Sequence, residues 1–187
     1  IPESIGSLDS VLSLSFWNNQ INTIPESIGN LGNLTELGLH NNQITSIPET
    51  VGQLLNLNVL HLGNNNLTSI PASIGNLSNL EWLWLNDNLI TTLPENLCDL
   101  DFETMSDYSF SNNNICPPYP SCLIEEDLGY QNTANCPEDC SMMGDVNNDF
   151  SVNVIDVLSL VCEILENGNC GIICSTDMNL DESINVI

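Results

Sequence analysis

The first half of the chain repeats one pattern of apolar and polar positions at a fixed interval. Prolines mark this interval at positions 2, 25, 48, 71 and 94. One unit has Leu, Ile or Val at positions 31, 34, 37, 39, 44, 47 and 51, and the next repeats them 23 positions later. A fixed period of this length predicts a solenoid of stacked coils. Only the stretch around Leu37 and Leu39 alternates, which predicts one short strand per coil and a single core filled by Leu and Ile.

An asparagine follows each predicted strand. At the bend after the strand, a buried amide can satisfy neighbouring backbone groups, and stacking the coils turns these amides into a ladder. The predicted ladder consists of Asn19, Asn42, Asn65, Asn88 and Asn113.

These positions together form the motif L-x-x-L-x-L-x-x-N-x-L, which is present in four units and is followed by IPxxIG. The pattern resembles the leucine-rich repeat family, in its 23–24-residue extracellular and plant-like classes. The resemblance implies a curved solenoid with a parallel sheet on its concave face, a face that binds proteins, peptides or glycans. A fifth, degenerate unit keeps Tyr108, Phe110, Asn113 and Ile115 after a two-residue slip.

The predicted organisation has three parts: leucine-rich repeats over residues 1–98, a degenerate last repeat with a disulfide-rich cap over 99–140, and a second module over 141–187. Nothing before Leu8 resembles a lid for the first coil. An even number of cysteines in loop-like, acidic surroundings favours disulfides and an extracellular or cell-surface location. Zinc is the alternative, at the spaced pairs Cys136/Cys140 and Cys170/Cys174. The eight cysteines are Cys98, Cys116, Cys122, Cys136, Cys140, Cys162, Cys170 and Cys174.

The candidate ligand-binding surface lies at the strand positions that point away from the core. Strand side chains alternate, so the residues flanking each inward Leu share one face. Exposed tryptophans on such a face predict a recognition patch for a protein or a glycan. The candidate residues are Trp17, Glu36, His40, His61, Trp82, Trp84 and Asp87.

Three Asn-x-Ser/Thr triplets fall at positions of the repeat that we expect to be exposed. They begin at Asn33, Asn66 and Asn76 and are candidates for N-glycosylation.

The C-terminal segment carries the spacing of a calcium loop. In DVNNDFSVNVID, oxygen-bearing side chains occupy loop positions 1, 3, 5, 7, 9 and 12, which suits an ion that takes six to eight oxygens. The stretch DMNLDESINVI, which begins at Asp177, repeats the register, and its position 12 would be residue 188. The predicted ligands of two Ca²⁺ ions are Asp145, Asn147, Asp149, Ser151, Asn153 and Asp156, then Asp177, Asn179, Asp181, Ser183 and Asn185.

The duplicated loop, with apolar residues at helical spacing after its first copy, resembles type I dockerin modules. That resemblance implies two calcium ions and docking onto a cohesin-like partner domain. Phe150 and Glu182 stand at loop position 6, where calcium loops favour glycine. We therefore expect affinity in the millimolar range of extracellular calcium modules.

Charge narrows the function classes. The chain has 25 acidic residues and no Lys or Arg, for a formal net charge of −25. Nucleic-acid and anionic-membrane partners are excluded because phosphate contacts need cations. No apolar run is long enough for membrane insertion, and no catalytic constellation is present.

The sequence therefore predicts a non-enzymatic extracellular calcium-binding protein for recognition, adhesion or assembly. Two alternatives stay open. The uncovered first coil and the incomplete calcium module predict subunits that self-associate head to tail into a calcium-stabilised filament. The dockerin resemblance also fits an accessory region of a secreted polysaccharide-degrading enzyme.

Overall fold

A computed structural model describes residues 1–136 of the chain. Each of the first five coils consists of a short 3-10 helix followed by a three-residue strand. The strands are β1 Ser13–Ser15, β2 Glu36–Gly38, β3 Val59–His61, β4 Trp82–Trp84 and β5 Asp107–Ser109. The 3-10 helices are Glu3–Ser7, Glu26–Asn30, Glu49–Gln53, Ala72–Asn76 and Glu95–Asp99.

The five strands form one parallel sheet in the order β1-β2-β3-β4-β5. From β1 to β4 each residue pairs with the residue 23 positions later, as in Leu37 with Leu60. The last pair is offset by 25 positions, because Leu83 pairs with Tyr108. The two-residue slip predicted for the fifth unit is therefore confirmed.

The core lies behind the sheet and follows the predicted repeat. Leu37, Leu60 and Leu83 are fully buried at the centre of their strands. The first coil is less complete, since Leu8 is 46% exposed and Leu14 is half-buried. Leu55 and Leu89, which lie outside the repeated apolar positions, are also exposed.

The asparagine ladder forms, but its members differ in burial. Asn65, Asn88 and Asn113 are buried, whereas Asn42 is half-buried and Asn19 is exposed. The expectation of a buried amide is thus wrong for Asn19, which donates only to carbonyls of its own coil.

The bend just before each ladder asparagine requires a left-handed backbone. Asn41 and Asn64 have φ of 56° and 55°, and Asp87 takes the same conformation at 54°. Among residues with a side chain, Asn and Asp adopt this region most readily. The repeated Asn-Asn pair therefore has two separate functions, a left-handed turn followed by a backbone cap.

Residues after Ile115 depart from the repeat. A one-turn helix, α1, spans Glu125–Leu128, and a last 3-10 helix spans Thr133–Asn135. Leu123 and Leu128 are buried in the same hydrophobic core as the coils. Disulfides join Cys98 to Cys122 and Cys116 to Cys136.

These disulfides confirm the prediction for four of the eight cysteines. They also correct the zinc alternative at Cys136/Cys140, because the sulfur of Cys136 is bonded to Cys116 and is not a free thiolate. Cys140, Cys162, Cys170 and Cys174 lie outside the described residues. Within residues 1–136 no helix is long and apolar enough to cross a membrane.

Candidate functional site

The outward side of the five-stranded sheet, which we call the sheet face, carries the predicted ligand-binding residues. Parallel pairing sets these side chains in columns that run across the strands. Gly38, His61 and Trp84 share one column, and Glu36, Val59 and Trp82 share the next. Trp17 and His40 lie just past the ends of β1 and β2, two positions beyond Ser15 and Gly38.

Four of the predicted aromatic residues stack into a continuous row, the ring stack: Trp17, His40, His61 and Trp84. Trp17 and His40 are 5.7 Å apart between ring centroids and nearly parallel, with 2° between their planes. His40 and His61 are 3.9 Å apart at 18°, and His61 and Trp84 are 4.9 Å apart at 58°. The sequence predicts these residues on one face, and the structure shows that their rings also touch in order.

Trp82 does not join the ring stack. It lies in the neighbouring column, opposite Val59 and Asp107, and within residues 1–136 it has no ring contact. Its half-buried indole still faces the same side of the sheet as Trp84.

His40 and His61 occupy positions of the repeat that differ by two residues, and a glycine allows their rings to meet. Gly63 follows β3 at the position that His40 occupies in the coil before, so no side chain stands beside His40 there. A Cβ at Gly63 would lie 2.9 Å from Asn86 Oδ1, a distance that real Cβ atoms do not show. The depression left here has a volume of about 480 Å³ and is lined mainly by His40, His61, Asn86 and Asp87.

Both histidines of the stack are neutral at pH 7. Burial lowers the pKa of His40, and burial together with the charge of His40 lowers the pKa of His61 to about 4. His40 Nδ1 is buried and has no hydrogen-bond partner in the described residues. Protonation would place a charge in a ring that already lacks one polar contact, which is unfavourable.

Three carboxylates share the sheet face with the stack, and each accepts a hydrogen bond from a neutral donor. Ser13 Oγ donates to Glu36 Oε2 at 3.1 Å, and Asn112 Nδ2 donates to Asp87 Oδ1 at 2.8 Å. Trp84 Nε1 donates to Asp107 Oδ2 at 2.9 Å. Asp87 lies at the depression between the histidines, and Asp107 is bonded to the last ring of the stack.

The sequence pattern did not identify Asp107 or Gly63 as part of this surface. Asp107 pairs with Trp82 across the two-residue slip. Counting the regular period of 23 from Trp82 leads to Met105 instead. The slip itself, visible at Tyr108, is the signal that places Asp107 on the sheet face. The signal for Gly63 is its place one residue before the left-handed Asn64, where the preceding unit has His40.

The predicted glycosylation and calcium-binding residues are not part of the sheet face. The asparagines of the three glycosylation triplets, Asn33, Asn66 and Asn76, are all exposed. All eleven predicted calcium ligands, from Asp145 to Asn185, lie outside the described residues. Within residues 1–136 no three His, Cys, Asp or Glu side chains gather as metal ligands would.

Comparison with known proteins agrees with the fold. A family model described as "Leucine rich repeat" matches residues 32–90, and a second, "Leucine Rich repeats (2 copies)", matches residues 10–51. A search of curated proteins gives no match.

Among solved structures, the chain is similar to a leucine-rich repeat protein of Leptospira interrogans, with 32% identity and a TM-score of 0.57 over 64% of this chain and 30% of that one. It is similar to the Arabidopsis receptor kinase HAESA, in complex with the peptide hormone IDA and the co-receptor SERK1, with 34% identity and a TM-score of 0.59 over 64% of this chain and 21% of that one.

The complex of BIR3 and SERK2 from Arabidopsis thaliana gives 33% identity and a TM-score of 0.53, covering 66% of this chain and 67% of that one. The chain thus spans less than a third of the Leptospira protein, but two thirds of the matched chain in the complex of BIR3 and SERK2. With the family models, the parallel sheet and this relative in agreement, the chain belongs to the leucine-rich repeat family.

Proposed function

We propose that this protein is a non-enzymatic extracellular recognition protein whose sheet face binds a partner through the ring stack. The observation that carries the proposal is the unbroken contact from Trp17 to Trp84 across four coils. Trp17 is 51% exposed, and exposed aromatic rings of this size are characteristic of binding surfaces.

The similar solved structures support a protein partner. HAESA is seen with a peptide hormone and a co-receptor, and BIR3 is seen with SERK2. The two disulfides support an oxidising compartment, because such bonds persist mainly outside the cytosol. An extracellular or cell-surface recognition role is consistent with both.

The test is binding of the purified full chain to peptide and glycan arrays, compared with the variant Trp84→Ala. Trp84 contacts His61 and orients Asp107, so its loss breaks the stack at one end without touching the core. We expect the bound features to weaken at least tenfold, in line with aromatic anchors at interfaces.

A matched control is Tyr130→Ala, which removes another aromatic ring, 73% exposed, that lies outside the sheet. Circular dichroism checks that both variants fold. Binding that is lost with Trp84→Ala and kept with Tyr130→Ala supports the proposal. Binding that survives both changes, or that is absent from every array, overturns it.

We also propose that the segment over residues 141–187 binds two Ca²⁺ ions. The support is the repeated register of oxygen-bearing residues, beginning at Asp145 and again at Asp177. A single acidic turn arises easily in so acidic a chain, but a second copy in the same register does not.

Isothermal titration calorimetry with CaCl₂ tests this on the full chain. The double variant Asp145→Ala, Asp177→Ala is expected to lose the binding heat, whereas Glu103→Ala, an exposed acid of the described part, keeps it. Absence of any calcium heat in the unaltered chain refutes the site.

Sedimentation velocity of the same samples separates the assembly alternatives. Calcium-dependent polymers that dissolve in chelator favour the filament over a monomeric recognition protein. A stable monomer in both conditions removes the filament. A cohesin-like partner and an accessory role beside a polysaccharide-degrading enzyme rest on the dockerin resemblance alone.

A further inference from the structure

The charge around the ring stack identifies the kind of partner that the sheet face accepts, and this step rests on the recognition role proposed above. At pH 7 the stack itself is uncharged, because the pKa of His61 is lowered to about 4 and that of His40 is also lowered. The histidines therefore supply aromatic surface and no positive charge.

The carboxylates of the sheet face have no charged partner. Glu36 and Asp107 each accept one hydrogen bond, from a hydroxyl and an indole group. Asp87 accepts two, from the side-chain amides of Asn86 and Asn112. The whole chain contains no Lys or Arg. The negative charge of these three groups is thus left for solvent cations or a partner.

The depression between the histidines and Asp87 has the chemistry of a cation pocket. Gly63 leaves it open, and Asn86 and Asp87 bring amide and carboxylate oxygens to its wall. An ammonium group has three donors and a guanidinium has five, and both also rest favourably on aromatic faces. Carboxylate and ring are present here side by side.

We propose that the sheet face binds an extended segment of another protein that carries Lys or Arg side chains, with those side chains lying along the ring stack. Three strand-to-strand steps of about 4.8 Å make the stack about 14 Å long, which an extended segment spans in about four or five residues. A segment with cations at alternate positions places two or three of them over the rings and carboxylates.

Charge complementarity favours this occupant over a neutral oligosaccharide. A sugar also stacks on indole rings, but it brings no positive charge to the three carboxylates of this face. An acidic segment is repelled by them, and opposite charges across an interface set both partner choice and association rate.

The test uses the full chain and a nine-residue peptide of alternating Lys and Ser, with binding followed by tryptophan fluorescence. The matched ligand is the same peptide with every Lys acetylated, which keeps length and apolar stem but removes the charge. We expect acetylation to weaken binding at least tenfold, since cation–π and charge-assisted contacts are lost together.

Two protein variants separate a specific site from general attraction to an acidic chain. Asp87→Asn removes one charge beside the depression and keeps the shape, and we expect it to weaken binding about three- to tenfold. Glu26→Gln removes one charge from an exposed position at the start of a 3-10 helix, and we expect less than a twofold change.

Equal weakening by Asp87→Asn and Glu26→Gln overturns the inference, because binding then follows net charge alone. Equal binding of the acetylated and unmodified peptides overturns it as well. If a neutral glycan binds and is lost with Trp84→Ala while the lysine peptide does not bind, the recognition role stands and the cationic partner is wrong.

Discussion

Replacing Asn65 by leucine tests the physical basis of the coil stack. The side chain of Asn65 is buried and connects two coils: its Oδ1 accepts from Ile44 N at 2.9 Å, and its Nδ2 donates to Leu39 O and Leu62 O at 3.1 and 3.0 Å. Leucine has the same number of side-chain heavy atoms and a similar branching, is somewhat bulkier, and makes none of these bonds.

Asn65 Nδ2 also lies 3.4 Å from Gly63 O, which keeps Asn41 N as a donor. The three backbone groups with the shorter bonds are affected to different degrees by the substitution. Leu39 O also accepts from Asn42, and Leu62 O also accepts from Asn88. Each carbonyl therefore keeps one donor.

Ile44 N–H has no second partner among the described residues and becomes a buried, unpaired donor. Such a group costs about 1–3 kcal/mol, and each of the two other lost bonds costs about 0.5–1.5 kcal/mol. With about 1 kcal/mol returned by the added apolar surface, we expect the free energy of unfolding to fall by about 3 kcal/mol.

Urea unfolding followed by tryptophan fluorescence measures this loss, and Asn65→Ala checks that added bulk is not the cause. The matched control is Asn19→Leu. Asn19 is exposed and donates only to Phe16 O and Trp17 O of its own coil, where water can replace it. We expect a loss below about 1 kcal/mol there. If the two asparagines cost the same, the ladder is not what holds the coils together.

Three further predictions concern packing, the disulfide and the histidines. Gly52→Ala places a Cβ 2.6 Å from a side-chain carbon of the next coil and should cost about 3 kcal/mol of unfolding free energy in urea, whereas Gly32→Ala, with nothing within 4 Å, should leave stability unchanged. Replacing Cys98 and Cys122 by serine opens a loop of sequence separation 24 and should lower the unfolding free energy by about 3 kcal/mol, measured against the unaltered chain without reductant. The His61 imidazole should titrate near pH 4 by NMR. Because the unfolded chain takes up this proton at about pH 6.5, the free energy of unfolding should fall as the pH is lowered from 6.5 to 4. An NMR midpoint at pH 6.5 would contradict the burial argument.

The repeated part of the fold could be predicted from the sequence because each residue lies beside the equivalent residues of the coils before and after it. Leu60 pairs with Leu37 before it and Leu83 after it, so a constant period fixes both the pairing and the inward direction. The asparagine ladder follows from the same period, since an amide after each strand faces the same backbone groups in every coil.

Positions where the period breaks could not be predicted in the same way. Gln131 is the clearest case: it accepts from Ile115 N and donates to Phe110 O and Leu128 O, much as Asn113 serves the backbone one coil earlier. The regular period counted from Asn113 points to Cys136 instead, and glutamine has a longer side chain, so neither spacing nor residue type marks this position. Only the folded chain shows that this glutamine continues the ladder.

The ring stack could be predicted as a face but not as a contact. Alternation along each strand is enough to place His61 and Trp84 on one side of the sheet. Whether rings touch depends on rotamers and on gaps such as the one at Gly63, which a linear pattern does not contain. The lowered pKa of His61 follows from that packing and was equally out of reach.

The structure also explains how a chain without basic residues joins its coils. The same bonds leave the outward strand positions open to different side chains. Within residues 1–136, amides, hydroxyls and backbone groups make bonds between coils, as with Asn65, and Glu3 and Glu49 each accept a backbone N–H of the next coil. No Lys or Arg is needed for these bonds. At the outward position of successive strands the residue changes from Gly38 to His61 to Trp84 while the buried Leu beside it does not change. Because stability is supplied by the repeated positions, the outward ones are free to differ, and the negative charge that the fold leaves unpaired beside the rings can select a partner.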